Sequence, residues 1–426
     1  MNEEMKKLFF ITLAALLLLC SCNTTAKQLA YTNIALNYGS FSMGETVIEK
    51  APTGLYRYHA DAKTVLDHFC YDPLCDHSGN DGVCPDCYNL DFTAYATDGE
   101  RIYANGRSYL SALNGGTWNR NEKWLVSMNP DGSDMKRLLS YDSTNAAEPF
   151  LHLHDGWLYY YQSFYEDEYD PALKGNQDQY IKIMRINTDS GKTEEAYSGK
   201  LLPEDRFYLD DNHYYILHMA DGFSISNSTL DIIDRETGEA VQTGIIPDGC
   251  PVIYVTVYED NTYFICLESN KTEQYATPVT LQTYAVYRFD GETCEKLVGN
   301  IGNLTGIVFA DGAVWYEPYA FTYFGAKDMP TGNGDETSPC DFYQYTDGSI
   351  ARFDLDSAVS QTWTLPDADD GFCADFLGLS NGVAIVRVDN PEKDFTGDAY
   401  EGGVYKFRLA SDGTMEMLGA FETVQP

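Results

Sequence analysis

The sequence predicts an all-β fold, a β-propeller of seven blades with six and eight as the alternatives, and two recurring signatures predict it. The first is an Asx-Gly turn flanked by aromatic and β-branched residues. It occurs as Asp98-Gly99 before Ile102-Tyr103, Asp155-Gly156 before Leu158-Tyr159-Tyr160, and Asp311-Gly312 before Val314-Trp315-Tyr316. Looser copies are Asp211-Asn212, Asp260-Asn261 and Asn381-Gly382. Asn, Asp and Gly tolerate positive φ, so each copy reads as two strands joined by a tight turn. The second signature is a short strand of the type hydrophobic-Arg-hydrophobic-Asx followed by a turn. Its seven copies centre on Arg57, Met128, Arg185, Ile233, Arg288, Arg352 and Lys406. Positions 57 and 406 give a mean step of about 58 residues, a long version of the four-stranded propeller blade. No stretch of helical periodicity intervenes, and no Pro-rich or Ser-rich linker divides the chain into stacked β-sandwich domains. The first unit lacks an Asx-Gly copy, so its inner strands are expected from residues 30 to 50, or partly from elsewhere through ring closure.

Composition sets the limits on partners. With 44% hydrophobic and 14% aromatic residues in 426, the chain is globular rather than disordered. Lys plus Arg total 28 against 65 Asp plus Glu, a net charge of −37 that opposes binding to a phosphate backbone or an anionic lipid surface. Nucleic acid is thereby excluded as an expected partner.

The N-terminus reads as a targeting segment. Lys6 and Lys7 precede an apolar run from Leu8 to Leu19 and then Cys20-Ser21-Cys22. The run is about 12 residues, too short for a spanning helix, which needs about 20. The segment resembles the signal of bacterial lipoproteins, in which a small residue precedes the lipidated Cys. That resemblance implies a signal over 1–21, lipidation of Cys22 with Cys20 as runner-up, a short tether over 22–29 and a single propeller domain over 30–426. The membrane is then met only through the lipid anchor, on the extracytoplasmic side of the envelope. A plain cleaved signal or an uncleaved anchor is the bland alternative.

The long insertions fall between each Asx-Gly hairpin and the Arg-containing strand, the connection from the second to the third strand of a blade. They are Asn105–Glu122, Gln162–Gln179, Glu268–Thr283, Glu317–Thr346 and Asp389–Gly402, and they are expected to crowd one face of the ring. Their aromatic and acidic residues make that face the expected ligand platform, with Trp118, Tyr165, Tyr319 and Tyr323 as candidate contacts. The competing reading is that these aromatics pack their own loops together.

The 11 Cys divide unevenly, with four in the run Cys70-Tyr-Asp-Pro-Leu-Cys75-Asp-His77 and Cys84-Pro-Asp-Cys87. Four thiols and an imidazole within one short, turn-rich loop over 70–87 can close a tetrahedral site, and thiolate with imidazole favours zinc. Disulfide pairing is the alternative in an exported chain. The segment is similar to one in uncharacterised clostridial-type lipoproteins of the TolB-like propeller group, which carry Cys-x4-Cys-x-His and then Cys-Pro early in a predicted propeller. The resemblance implies Cys70, Cys75, His77 and Cys84 as the ligands of a structural zinc, with Cys87 as the alternative to Cys84. It brings no reaction with it.

Other chemistry leaves no motif. There is no Gly-x-Ser-x-Gly elbow, no Gly-rich phosphate loop and no His-Glu-x-x-His helix. Asp367-Ala-Asp369-Asp370-Gly371 lacks the spacing and terminal Glu of a calcium loop. His152 and His154 share a strand face, and satisfied histidines are the expected reading. The functional expectation is a binding or scaffolding module of the cell envelope taking a glycan or a protein or peptide ligand. The alternative is an extracellular lyase or glycosidase acting on the same face.

Overall fold

The computed structural model describes residues 40–43, 46–51, 54–62, 91–107, 122–129, 134–142, 151–165, 179–219, 227–330, 337–364, 373–389 and 403–421. The expected signal over 1–21, Cys22 and the tether over 22–29 lie outside these residues. So do the loop bearing Cys70, Cys75, His77, Cys84 and Cys87, and Trp118.

The described residues form seven antiparallel sheets of three or four strands in chain order, and one two-stranded ribbon. The first holds β1 (Ser40–Met43), β2 (Thr46–Ala51) and β3 (Gly54–His59); the second holds β4 (Asp91–Thr97), β5 (Ile102–Arg107), β6 (Glu122–Met128) and β7 (Lys136–Asp142). The third holds β8 (Leu151–His154), β9 (Trp157–Tyr165), β10 (Gln179–Asn187) and β11 (Thr193–Leu201); the fourth holds β12 (Arg206–Leu209), β13 (His213–His218), β14 (Thr229–Asp234) and β15 (Ala240–Ile245). The fifth is β16 (Val252–Tyr258), β17 (Asn261–Gln274), β18 (Pro278–Phe289) and β19 (Cys294–Ile301). In the sixth, β20 (Val308–Ala310) and β21 (Ala313–Tyr316) are followed by a separate ribbon of β22 (Thr322–Pro330) and β23 (Thr337–Gln344), after which β24 (Ile350–Asp354) and β25 (Ser360–Trp363) complete the sheet. The seventh is β26 (Cys373–Ser380), β27 (Val383–Asp389), β28 (Gly403–Leu409) and β29 (Met415–Ala420). Each sheet is laid down as sequential neighbours, the up-and-down order of a propeller blade.

Apolar clusters bridge every sheet to the next. Ile48 meets Tyr95 and Ile102; Tyr103 and Leu125 meet Leu151 and Leu158; Tyr159 and Ile183 meet Phe207 and Ile216. Tyr215 meets Phe264, whose cluster continues to Val314 and Phe353, and Trp315 meets Phe376 and Phe407. Leu377 and Ile385 of the seventh sheet then meet Val47 and Tyr58 of the first, which closes the ring. The chain is a β-propeller. Strand alternation makes this possible, because neighbouring residues on one strand serve the two adjacent interfaces: Val314 faces the fifth sheet and Trp315 the seventh. Each large side chain buried in these interfaces contributes roughly 1.5–3 kcal/mol.

Both sequence signatures have a structural cause. Asp155-Gly156, Asp311-Gly312 and Asn381-Gly382 are two-residue turns with positive φ at both positions, the twist that antiparallel neighbours need. Asp98-Gly99 is not such a turn, because Thr97 pairs with Ile102 across a four-residue loop. There the Asp98 carboxylate accepts the N–H groups of Glu100 and Arg101 at 2.9 and 2.7 Å. Asp211-Asn212 likewise belongs to a four-residue loop organised by Asp210. The Asx that ends the second signature caps the turn from the third to the fourth strand: Asp234, Asp290 and Asp354 each accept the N–H three residues ahead. The Arg of that signature ties three strands, as Arg185 of β10 pairs with Glu194 of β11 and lies 4.4 Å from the Trp157 ring of β9.

Three insertion boundaries need correction. Asn105 is buried inside β5 rather than opening a loop. Tyr165 is a ladder residue of β9 opposite Gln179, because the β9–β10 pairing runs past the expected loop start. The expected insertion Glu268–Thr283 is mostly strand, since β17 and β18 continue pairing out to Gln274 and Pro278. The expected source of the first blade is met by β1 and β2, which fall at 40–51, and no strand from the C-terminal end joins the first sheet among the described residues.

Candidate ligand-binding site

In up-and-down sheets the connections from second to third strand, and from one sheet's fourth strand to the next sheet's first, emerge on the same face. On that face, the β17–β18 hairpin and the β22–β23 ribbon lean on each other. Tyr275 stacks on Tyr323 with ring centroids 4.3 Å apart and meets Phe321 at 5.7 Å. The Tyr345 hydroxyl donates to the Thr280 carbonyl at 2.8 Å. Tyr323, an expected ligand contact, is thus engaged in packing one insertion on another. Tyr319 is half-buried, and its N–H donates to the Asn300 carbonyl at 2.9 Å. Ala320 donates to Tyr345 and Gly302 to Glu317, so residues 317–320 stitch the fifth sheet to the ribbon.

Beneath this rim is a cavity of about 390 Å³ lined by Glu49, Asn303, Tyr343, Tyr345, Asp375 and Arg387 among others. Its walls come from the first and seventh sheets, from the end of the ribbon and residues 345–346 after it, and from the connection between β19 and β20. Arg387 of β27 pairs with Glu49 of β2, and the Tyr58 hydroxyl donates to the other Glu49 oxygen at 2.7 Å. Asp375 of β26 lies directly opposite Arg387 in the strand ladder. Glu317 is 1% exposed and accepts from the Asn303 side-chain amide at 2.6 Å. Burial first, then the nearby charge of Asp375, pushes the Glu317 carboxyl well above the usual carboxylate range, against donations from Asn303, the Phe376 N–H and Thr346.

Gly302 lines the cavity, and Gly306 makes room for the Glu317 side chain. A Cβ at Gly306 would stand 2.5 Å from the Glu317 carboxylate, and one at Gly302 would stand 2.5 Å from the Tyr345 carbonyl. The Gln344 amide nitrogen donates to the Thr346 carbonyl, which orients its oxygen; that oxygen is out of reach of solvent and accepts no hydrogen bond.

A second polar cluster lies at the same end of the fourth sheet. His218 sits between Asp205 at 3.1 Å and Asp231 at 3.4 Å, and the Asp205 hydrogen bond raises its pKa despite partial burial. His152 is a satisfied core histidine: its Nε2 lies 2.9 Å from the Phe207 carbonyl, and burial lowers its pKa to about 3. His154 meets Asp211 and Arg235 near the opposite face. Of the scattered cysteines, Cys266 is buried and Cys250 and Cys294 are partly so, all as free thiols. No group of three or more His, Cys, Asp or Glu able to hold a metal occurs among the described residues.

The cavity was not predicted from sequence, although two of its members carried a signal. Glu49 follows Val47-Ile48 and Glu317 follows Val314-Trp315-Tyr316, each a lone carboxylate in or at the end of an apolar strand. A charge in that setting has to be paired or neutral.

No family model and no curated protein matches the chain. Solved structures do, at low identity. Acylaminoacyl peptidase of Pyrococcus horikoshii matches over 93% of this chain and 54% of its own, at 9% identity and a TM-score of 0.47. An uncharacterised protein of Listeria monocytogenes matches over 80% and 86%, at 10% identity and 0.41. The β-propeller domain of the Trilobed protease from Pyrococcus furiosus matches over 78% and 96%, at 10% identity and 0.33. The chain spans about half the length of the acylaminoacyl peptidases it resembles. The likeness is one of fold.

Proposed function

We propose that this protein is an envelope lipoprotein whose propeller captures a glycan or a protein or peptide ligand on the face that carries the long hairpins. The observation that carries the reading is the cavity of about 390 Å³, with both charged and apolar residues in its walls, beneath the packed β17–β18 and β22–β23 hairpins. Its size suits a small ligand or one residue of a polymer, and part of its wall belongs to strands of the closed ring, which favours a preformed site. Lipidation at Cys22 after removal of 1–21 holds the domain on the extracytoplasmic side of the membrane, in keeping with the charge of −37, which opposes broad contact with anionic lipid.

Glycan and peptide arrays probed with residues 30–426 test the capture. The arm that locates the site shortens the ribbon by replacing 326–341 with a Gly-Ser turn. Glu317 and Thr346 stay in place because both are buried, so excising the whole of 317–346 would open the core. Capture by the full domain and at least about tenfold weaker capture by the shortened one is the expected result. Equal capture by both removes this face from the function.

A second reading is favoured by one observation, the raised pKa of the buried Glu317 carboxyl, to which the nearby charge of Asp375 contributes. Two carboxyl groups in unequal environments are the raw material of an acid and a base, as in a glycoside-cleaving enzyme. Release of reducing ends from array-positive glycans would select it over simple capture.

The loop at 70–87 is proposed to hold a structural zinc through Cys70, Cys75, His77 and Cys84, with Cys87 in reserve. One equivalent of zinc by elemental analysis of the mature domain is expected. Less than about half an equivalent, with disulfides mapped within 70–87 by mass spectrometry, refutes it.

A further inference from the structure

We infer that His218 is a pH-sensitive latch: as an imidazolium it fastens the connection between the third and fourth sheets to β13 and β14, and on losing its proton it lets that connection go. The geometry calls for the charged form. His218 ends β13, with Nδ1 3.1 Å from Asp205 Oδ1 and Nε2 3.4 Å from Asp231 Oδ2. An ionised carboxylate only accepts, and a neutral imidazole has one N–H, so its other nitrogen would point a lone pair at an acceptor. Only the imidazolium donates to both. The hydrogen bond from Asp205, helped by the charges of Asp205 and Asp231, raises the His218 pKa against partial burial. The carboxylates stand on different nitrogens, which makes the histidine a bridge between two elements rather than one ligand of a shared metal.

What the bridge holds is the 202–205 turn between β11 and β12. The Asp205 side chain is 4% exposed, and its second oxygen accepts the Leu202 N–H at 2.9 Å. Its own N–H donates to the Leu202 carbonyl at 3.0 Å, and its carbonyl accepts from Tyr161 of the third sheet at 3.1 Å. On the other side, Asp231 of β14 accepts the Gly244 N–H of β15 at 2.9 Å. Loss of the proton leaves Asp205 as a nearly buried carboxylate without its cation, a costly arrangement. The turn yields first, because β13 and β14 stay paired from His213 to His218 while the turn rests on these few bonds. It lies on the hairpin-bearing face, so its release loosens that face at the boundary of the third and fourth sheets. The other groups around the bridge do not compete in this pH range. Burial raises the hydroxyls of Tyr161 and Tyr197 above their ordinary value, Lys200 lies 4.5 Å over the Tyr180 ring, and Arg206 is hydrogen-bonded to Tyr208. A raised native pKa gives stability that is complete below the unfolded value, about 6.5, and lost as pH climbs through the native one. The latch is closed in acid and opens toward alkali.

Two measurements on residues 30–426 test it. An NMR titration of the histidine side chains should place His218 above about 6.5, and Asp231→Asn should lower it. Hydrogen exchange at Leu202 and Asp205, corrected for the intrinsic pH dependence of exchange, should show protection falling at least about tenfold from pH 6 to pH 8.5 in wild type, with no comparable fall in His218→Gln. The titrations decide even if His218→Gln does not fold. A His218 that titrates at or below about 6.5, a titration unmoved by Asp231→Asn, or a loss of protection in His218→Gln as steep as in wild type each overturns the latch.

Discussion

Arg387→Ala is expected to lower the free energy of unfolding by about 3–5 kcal/mol, as measured by the urea midpoint at constant m-value. The reason is where Glu49 sits. Its side chain is 5% exposed, and its charge is met by the Arg387 guanidinium and the Tyr58 hydroxyl. Removing the guanidinium leaves a desolvated carboxylate with a neutral donor, and breaking a buried pair costs far more than never having built it. The location adds to the effect. The first and last sheets share no strand among the described residues, so side chains close this seam. Besides the apolar cluster of Val47, Tyr58, Leu377 and Ile385, ties among the described residues include the Tyr58–Phe421 edge contact at 5.2 Å, Lys406 on the carbonyls of Ala60 and Ala62 at 3.1 and 2.7 Å, and Ser380 accepting the Ala60 N–H at 2.9 Å. The double variant Glu49→Gln with Arg387→Met is expected to recover most of the loss, since no charge is then stranded. A single variant within about 1 kcal/mol of wild type would show that the seam does not depend on the pair.

The strand pattern was legible in the sequence because it is local. A turn with positive φ at Asp311 and Gly312 admits few residue types, and the alternation of Val314 and Trp315 between two interfaces leaves an apolar run next to it. The same local signal could not separate a two-residue turn from a four-residue one. Asp98-Gly99 and Asp155-Gly156 look alike, yet the backbone at Asp98 turns through its carboxylate and the one at Asp155 through positive φ. The site was not legible because ring closure assembles it. Glu49 and Arg387 are 338 positions apart and meet only when the seventh sheet returns to the first. Composition pointed at the insertion aromatics instead, and Tyr323 shows what one of them does there: it binds ribbon to hairpin through Tyr275. An aromatic-rich insertion and an aromatic platform have the same composition, and only the partner of each ring distinguishes them.

Asp210→Ala is expected to cost about 3–4 kcal/mol, the larger effect of the two turn carboxylates that use this device. The Asp210 carboxylate accepts the N–H groups of Asn212 and His213 at 2.8 and 2.7 Å, which fixes the four-residue loop between β12 and β13. It also accepts from the Tyr215 hydroxyl at 2.5 Å and from Thr262 of the neighbouring sheet at 3.0 Å. Alanine would leave the hydroxyl of Tyr215, a side chain only 1% exposed, with only the long 3.3 Å contact to Thr262 and cut a polar tie between the fourth and fifth sheets. Asp98 repeats the arrangement with the N–H groups of Glu100 and Arg101 and with Tyr103 at 3.1 Å, but takes no donor from the next sheet among the described residues, so Asp98→Ala should cost less. Acid provides a second readout with a definite sign. Burial opposes the ionised form of Asp210, yet the donations from Tyr215, Asn212 and His213 outweigh it and hold the carboxyl below its ordinary value. A depressed native pKa means stability that is fully present above the unfolded value, about 4, and lost as pH falls through the native one. The gap between wild type and Asp210→Ala should therefore stay constant from pH 7 to about 5 and narrow below about 4. Asp210→Asn, which keeps an acceptor oxygen but no charge, should fall between the two and lose this acid dependence. A gap that widens toward low pH would mean that the carboxylate is not the species these four donors hold.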